Sequence, residues 1–165
     1  MRALVTGATG CVGANVVEAL LEQGYTVRGL RRSTSVLDAL DGLEVQLVVG
    51  DILVPQSLER AMAGCDLVFH VAAVSDYWRT PAETIYEVNV DGTRNVVQAA
   101  LRAGVERLIY TSSTGALGVP PKGQLLDEEA VFNLSPRRFP YGHSKHVAEG
   151  VVRDAMARGL DAVIV

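Results

Sequence analysis

Tyr141 and Lys145 stand four residues apart in the run Tyr-Gly-His-Ser-Lys. On a helix that spacing puts a phenol and an ammonium on one face, pointing into the same space. A phenol, with a reference pKa of about 10, moves protons poorly at neutral pH unless a nearby cation stabilises the phenolate, and Lys145 would supply one. The pair alone is a weak signal, because a tyrosine and a lysine at this distance often arise by chance. Upstream lies a hydroxyl-rich run, Tyr110-Thr111-Ser112-Ser113-Thr114. A hydroxyl there can bond a carbonyl or carbinol oxygen and align it with the tyrosine. Strand-end hydroxyls commonly satisfy backbone groups instead, and that is the expectation for Ser112. His143, His146 and Glu149 share the helix, but three ligands spread over nearly two turns converge poorly, so no metal is expected.

A second constellation opens the chain. Thr6-Gly7-Ala8-Thr9-Gly10-Cys11-Val12-Gly13 follows the apolar stretch Ala3-Leu4-Val5 and precedes a helical pattern. A strand handing over to a helix through closely spaced glycines presents backbone N–H groups and a positive dipole end, which together hold a phosphate. The spacing GxxGxxG is a variant of the commoner GxGxxG. About 20 residues beyond such glycines, a dinucleotide unit usually carries an acidic residue for the adenosine ribose. Here the second strand ends in Arg31-Arg32-Ser33, with no carboxylate. Two guanidinium groups placed where a 2′-phosphate would sit favour NADP over NAD in charge and in bidentate geometry. Two solvated surface arginines are the alternative. Asp51, in Gly50-Asp51-Ile52, can place a carboxylate beside the adenine, cap the helix begun by Pro55, or do both. In His70-Val71-Ala72-Ala73, small side chains let a cofactor lie close to the backbone, and His70 reads as a buried, hydrogen-bonded histidine.

These residues need a frame. Apolar runs of strand length recur at Ala3 to Thr6, Thr26 to Leu30, Val45 to Val49, Leu67 to Val71, Arg107 to Thr111 and Ala162 to Val165. Continuous rather than alternating apolar character suits strands buried on both faces of a parallel sheet. Helical patterns lie between them, one carrying Val12, Val16, Ala19 and Leu20 on a face and a longer one running from about Asn89 to Ala103. Gly24, Gly64, Gly104 and Gly159 each follow such a helix, where a left-handed cap is wanted. The chain therefore reads as α/β, a doubly wound parallel sheet of six strands with right-handed crossovers. The one long irregular stretch, Thr114 to about Pro140, is expected to belong to a site at the carboxyl edge of the sheet. The sequence stops inside a strand pattern with no turn after it, which predicts a piece of a longer protein.

Composition excludes several function classes. At 165 residues the chain holds one domain of ordinary size, and 48% hydrophobic with 21% charged residues suits a globular fold. A net charge of −4, with no basic run beyond Arg31-Arg32 and Arg137-Arg138, argues against a nucleic-acid surface. Cys11 and Cys65 make no disulfide framework and read as reduced thiols. No segment has a signal-peptide layout or membrane-spanning length, so a cytoplasmic location without membrane contact is expected.

Taken in order, TGxxGxxG at Thr6 to Gly13, Gly50-Asp51-Ile52, His70-Val71-Ala72-Ala73, Asn89 in Val-Asn-Val-Asp-Gly-Thr, Thr111-Ser112-Ser113 and Tyr141-xxx-Lys145 resemble the extended short-chain dehydrogenase/reductase family across the whole chain. Arg31 and the Tyr-Thr-Ser-Ser run are similar to its dihydroflavonol reductase-like and hopanoid-associated sugar epimerase-like branch. The resemblance implies a Rossmann fold over residues 1–165 that binds NAD(P), with a substrate region C-terminal to the sixth strand. It implies that Ser113 positions a substrate oxygen, that Tyr141 is the general acid/base, and that Lys145 lowers its pKa while bonding the nicotinamide ribose. Asn89 would support the lysine through a hydrogen-bond relay. Gly7, Thr9, Gly10, Cys11, Val12, Gly13, Arg31, Arg32, Asp51, Ile52, Val71, Ala72, Ala73 and Thr111 would line the cofactor, with Asn89, Tyr141 and Lys145 completing the set. Cys11 occupies a position that is usually aromatic in similar proteins. The implied activity is an NADP-dependent oxidoreductase or epimerase working on a small-molecule secondary alcohol or ketone of nucleotide-sugar or dihydroflavonol-like type. The helices from Asn89 and Tyr141 resemble the pair through which this family dimerises. A sensor or scaffold that binds NADP without turnover is the alternative reading.

Overall fold

The computed structural model describes residues 1–165. Six strands, β1 (Arg2–Thr6), β2 (Thr26–Arg31), β3 (Gln46–Val49), β4 (Leu67–His70), β5 (Arg107–Tyr110) and β6 (Ala162–Ile164), form one parallel sheet in the order β3-β2-β1-β4-β5-β6. The expected doubly wound architecture is thus present, with its topological switch between β1 and β4. Five helices connect the strands: α1 (Cys11–Glu22), α2 (Pro55–Met62), α3 (Ala82–Tyr86), α4 (Gly92–Ala103) and α5 (Pro140–Met156). Gly24, Gly64, Gly104 and Gly159 all have positive φ, the left-handed stop that their positions predict.

The strands are apolar on both sides because both sides are packed. On one face Leu4, Val68 and Leu108 meet Leu58 and Met62 of α2, Val96 and Val97 of α4, and Ala148 and Val152 of α5. On the other, Ala3, Val5 and Val27 meet Ala14, Val17 and Leu20 of α1. Burying each large aliphatic side chain contributes about 1.5–3 kcal/mol. Buried Arg28 of β2 donates to the Ala61 and Ala63 carbonyls at 2.6 and 3.0 Å, closing the C-terminal end of α2 where a cation is favoured.

The helical stretch expected from about Asn89 begins earlier, at Ala82. α3 is one short turn, and a π-helical turn, Glu87–Asp91, joins it to α4. Glu-Val-Asn-Val-Asp is poor in helix formers, so its propensity is weak. Contacts outside the helix hold it, as Asn89 shows below.

Register aligns the strand ends. Thr6, His70 and Tyr110 sit opposite one another on β1, β4 and β5. That row underlies the carboxyl edge of the sheet, where the functional residues collect.

Candidate active site

The turn from β1 into α1 is built by glycines whose Cβ atoms would collide with backbone. At Gly7, with φ +70°, a Cβ would stand 2.8 Å from the Ala72 Cα and N atoms; at Gly13 it would stand 2.0 Å from the Gly7 oxygen. The first glycine brings the turn against the end of β4, and the third seats α1 on the turn. Gly10 is the N-cap of α1 and no side chain caps that end. The first-turn N–H groups are therefore available to an anion.

From this turn a cleft of about 510 Å³ runs along the carboxyl edge. Gly7, Thr9, Gly10, Cys11, Val12 and Gly13 form one wall. Arg31, Arg32, Asp51 and Ile52 lie past β2 and β3, while Val71, Ala72, Ala73, Thr111, Tyr141 and Lys145 lie past β4 and β5. The Arg31 Nη1 donates to the Arg32 carbonyl at 3.2 Å, and its Nε is buried with no partner. Asp51 does not cap α2. Its Oδ1 accepts from Leu53 N at 2.9 Å and Val54 is the N-cap, because the chain turns once more before Pro55 begins the helix. Residues 114–140 contribute nothing to this cleft, contrary to expectation. They pack on themselves and on the outer side of α5 instead: Asn133 accepts from Val119 N at 3.0 Å and donates to its carbonyl at 2.8 Å, and Phe132 meets the rings of His143 and His146.

At the other end of the cleft, α5 carries Tyr141, Lys145 and Glu149 on successive turns of one face. Lys145 is 3% exposed. Its Nζ donates to the Thr111 carbonyl at 2.6 Å and sits 4.4 Å from the centre of the Tyr110 ring. Burial pushes the ammonium down to about 8, while the Glu149 carboxylate opposes that shift. Ser112 donates to Glu149, so the expectation that it satisfies backbone is corrected: a carboxylate buried one helix turn past the lysine claims the hydroxyl. Arg153 Nη2 holds the other Glu149 oxygen at 3.0 Å. Ser113 Oγ accepts from Gly115 N at 3.1 Å, capping the short turn Thr114–Ala116. A Cβ on Gly142 would lie 2.6 Å from the Gly115 oxygen, so this turn abuts the residue beside Tyr141. Ser113 is thereby brought next to the helix start, although it is not on the cleft wall itself.

The pattern of the NAD dependent epimerase/dehydratase family matches residues 3–165. The chain belongs to this family. A Synechocystis protein provisionally named dihydroflavonol 4-reductase is 46% identical over 98% of the chain and 47% of its own length. Sterol demethylase protein B of Methylococcus capsulatus is 41% identical over 100% of the chain and 50% of its own length. Among solved structures, the dTDP-glucose 4,6-dehydratase of Streptomyces venezuelae, with NAD bound, is 31% identical with a TM-score of 0.88, covering 99% of this chain and 54% of that one. The chain thus spans about half the length of the curated relatives it matches.

Within this family frame, the cleft suits a dinucleotide. Glycines stand wherever a Cβ would close the phosphate turn, a helix N-terminus is uncapped, and the Arg31 Nε lacks a partner. Asn89 makes no direct bond to Lys145. It lies 1% exposed beneath the cleft, its Oδ1 accepting from Val74 N at 2.7 Å and its Nδ2 donating to Val74 O and Ser144 Oγ at 3.1 and 3.0 Å. Its amide is spent on pinning the loop after β4 to α5.

His70 is the buried histidine expected. Thr93 donates to the Asn89 carbonyl at 2.6 Å, so its oxygen accepts from His70 Nε2–H at 3.0 Å. The Nδ1 therefore accepts from Thr6 Oγ1 at 2.8 Å, and that oxygen accepts from Ala72 N at 3.2 Å. Burial and the Lys145 ammonium push this imidazole down to about 3, which keeps it neutral. The network fixes the backbone of Ala72 against the glycine turn. Sequence reasoning missed Val88 of the π-helical turn on the cleft wall, and Gly92 with Asn95, which seat Ile52. Gly92 is glycine because a Cβ would come within 2.5 Å of Ile52 Cδ1. No spacing rule marks such residues. Of the three groups on α5 set aside as metal ligands, His143 Nδ1 pairs with the Tyr86 hydroxyl at 2.6 Å, Glu149 pairs with Ser112 and Arg153, and the His146 ring stacks on Phe132 with centroids 5.5 Å apart. No helix is long and apolar enough to cross a membrane.

Proposed function

We propose that this chain is the cofactor-holding part of an NADP-dependent oxidoreductase or epimerase that works on a secondary alcohol or ketone. The observation that carries the reading is the placement of Tyr141 and Lys145 at the end of a cleft that begins at the glycine turn, with the Ser113 turn packed against the start of α5 beside Tyr141. The α1 N-terminus would hold the phosphates of NADP and Arg31 with Arg32 its 2′-phosphate, and the cofactor, when bound, would supply or accept the hydride.

The chain's own residues handle the oxygen and its proton. Tyr141 gives a proton to a carbonyl oxygen during reduction and takes it back during oxidation. Lys145, one turn along the same helix face, stabilises the phenolate while the proton is away. The oxygen of Ser113 is occupied as an acceptor, which leaves its O–H free to donate to the substrate oxygen. Ser112, tied to Glu149, is not free for that task. Relatives named as a reductase of dihydroflavonols and as a nucleotide-sugar dehydratase support carbinol or ketone chemistry and leave two substrate classes, ring ketones and nucleotide sugars. A sensor that binds without turnover would have no use for the Tyr141 and Lys145 pair.

Tyr141→Phe in the full-length protein is expected to abolish turnover while leaving NADPH affinity, measured by calorimetric titration, nearly unchanged. Turnover retained by the phenylalanine variant overturns the mechanism.

A further inference from the structure

The loop between β4 and α3 holds an aromatic pair that no step so far uses. The chain's single tryptophan, Trp78, is 69% exposed, and Tyr77 beside it is 52% exposed. Soluble chains seldom leave two adjacent large aromatics in water without a partner for them. Trp78 packs edge-on against Tyr77, with centroids 5.2 Å apart and planes at 81°. Tyr77 in turn stacks on Tyr141, at 5.5 Å and 23°. The exposed aromatic surface is therefore continuous with the ring of the residue that touches the substrate oxygen. Val74 and Ser75, which lead into the pair, already line the cleft.

The chemistry of this surface selects among ligands. The one carboxylate of the turn that carries the pair is engaged: Asp76 accepts from Thr80 Oγ1 at 2.9 Å through its carboxylate and from Arg79 N at 2.9 Å through its carbonyl. A sugar ring needs hydrogen-bonding partners for several hydroxyls, whereas a flat carbon ring needs only area, and aromatic faces supply that with offset or edge-on stacking. We propose that Tyr77 and Trp78 form the substrate wall of this site and stack a flat, uncharged aromatic or fused ring whose carbonyl or carbinol reaches Tyr141. The proposal rests on the reading of the cleft given above and narrows its substrate to ring ketones and alcohols rather than nucleotide sugars.

The test reads binding, so that it stands or falls separately from turnover. Flavanone and, in parallel, UDP-glucose are titrated calorimetrically into the full-length protein saturated with NADP⁺, as wild type, Tyr77→Ala and Trp78→Ala. Flavanone is expected to bind, with its Kd raised about tenfold or more in each variant, as loss of a stacking partner predicts. NADP⁺ affinity and melting temperature should stay within error. Flavanone binding that ignores both substitutions, a binding loss confined to UDP-glucose, or no flavanone binding to the wild type overturns the proposal. So does a drop in melting temperature without a change in Kd, which would mean that the rest of the protein covers the pair. Loss of turnover in Tyr141→Phe with flavanone binding unaffected would support the reaction and the wall independently.

Discussion

At the scale of single residues, the site turns on how a buried ammonium keeps its proton. Lys145 loses nearly all its water, which disfavours charge and brings it down to about 8. The groups around it are Tyr110 under the ammonium, Tyr141 one turn away, neutral His70 on β4, and Glu149 one turn further. Of these, only Glu149 carries a negative charge that holds the proton on. Glu149→Gln keeps an oxygen for the Ser112 hydroxyl but removes the charge, so Lys145 should lose its proton at lower pH. The limb of the kcat/KM profile that reports Lys145 should move down by about one pH unit, the lower end of what a neighbouring opposite charge does. Ser112→Ala, which leaves the charge in place, should move it less. A profile recorded in the full-length protein that is unchanged in Glu149→Gln would show that the carboxylate only packs. A positioning role for Glu149 through charge is thereby separable from a merely structural one.

At the scale of elements, the glycine turn makes two opposite demands that substitution can separate. Gly13 is required by packing, since a Cβ would meet the Gly7 carbonyl at 2.0 Å. Gly13→Ala should cost roughly 1–3 kcal/mol of stability, or more if the turn cannot yield, and remove dinucleotide binding with it. Gly10 meets nothing nearer than 3.4 Å, so Gly10→Ala should fold almost as well and lose affinity only where a ligand approaches the backbone. Urea unfolding paired with NADPH titration distinguishes the two; equal stability losses would refute this division of labour. These elements also show why reading the chain worked as far as it did. Strands buried on both faces announce themselves as unbroken Val, Leu and Ile, and glycines at helix ends mark the left-handed stops, because each obeys a local rule. The π-helical turn at Glu87–Asp91 obeys none, its weak propensity being overridden by Asn89 bonds to Val74 and Ser144, the latter 55 residues away. The Ser112–Glu149 pair spans 37 residues and was invisible for the same reason. Walls of the cleft set by spacing were legible, whereas supports set by tertiary contact were not.

At the scale of the whole molecule, the glycine turn, the arginine edge and the Tyr141–Lys145 end of the cleft all lie within residues 7–145, so residues 1–165 should bind a dinucleotide. Its overall charge of −4 repels an anionic ligand, which places the weight of recognition on local cations and on the α1 N-terminus. Arg31 and Arg32 stand alone at the end of β2, with no carboxylate to hold a ribose 2′-hydroxyl and with the Arg31 Nε unpartnered. A 2′-phosphate supplies the acceptor that this nitrogen lacks, and hydrogen bonds to charged groups contribute about 1.5–3 kcal/mol each. NADPH should therefore bind residues 1–165 at least tenfold more tightly than NADH. Arg31→Ala should erase most of that ratio by weakening NADPH, with NADH nearly unaffected. Raising the salt concentration should narrow the ratio in the wild type for the same electrostatic reason, because the phosphate contact is partly solvated. A preference for NADH in the wild type would overturn the assignment of the arginines, and a ratio that Arg31→Ala leaves intact would move the 2′-phosphate contact to Arg32 or to Ser35 on the same edge of the cleft.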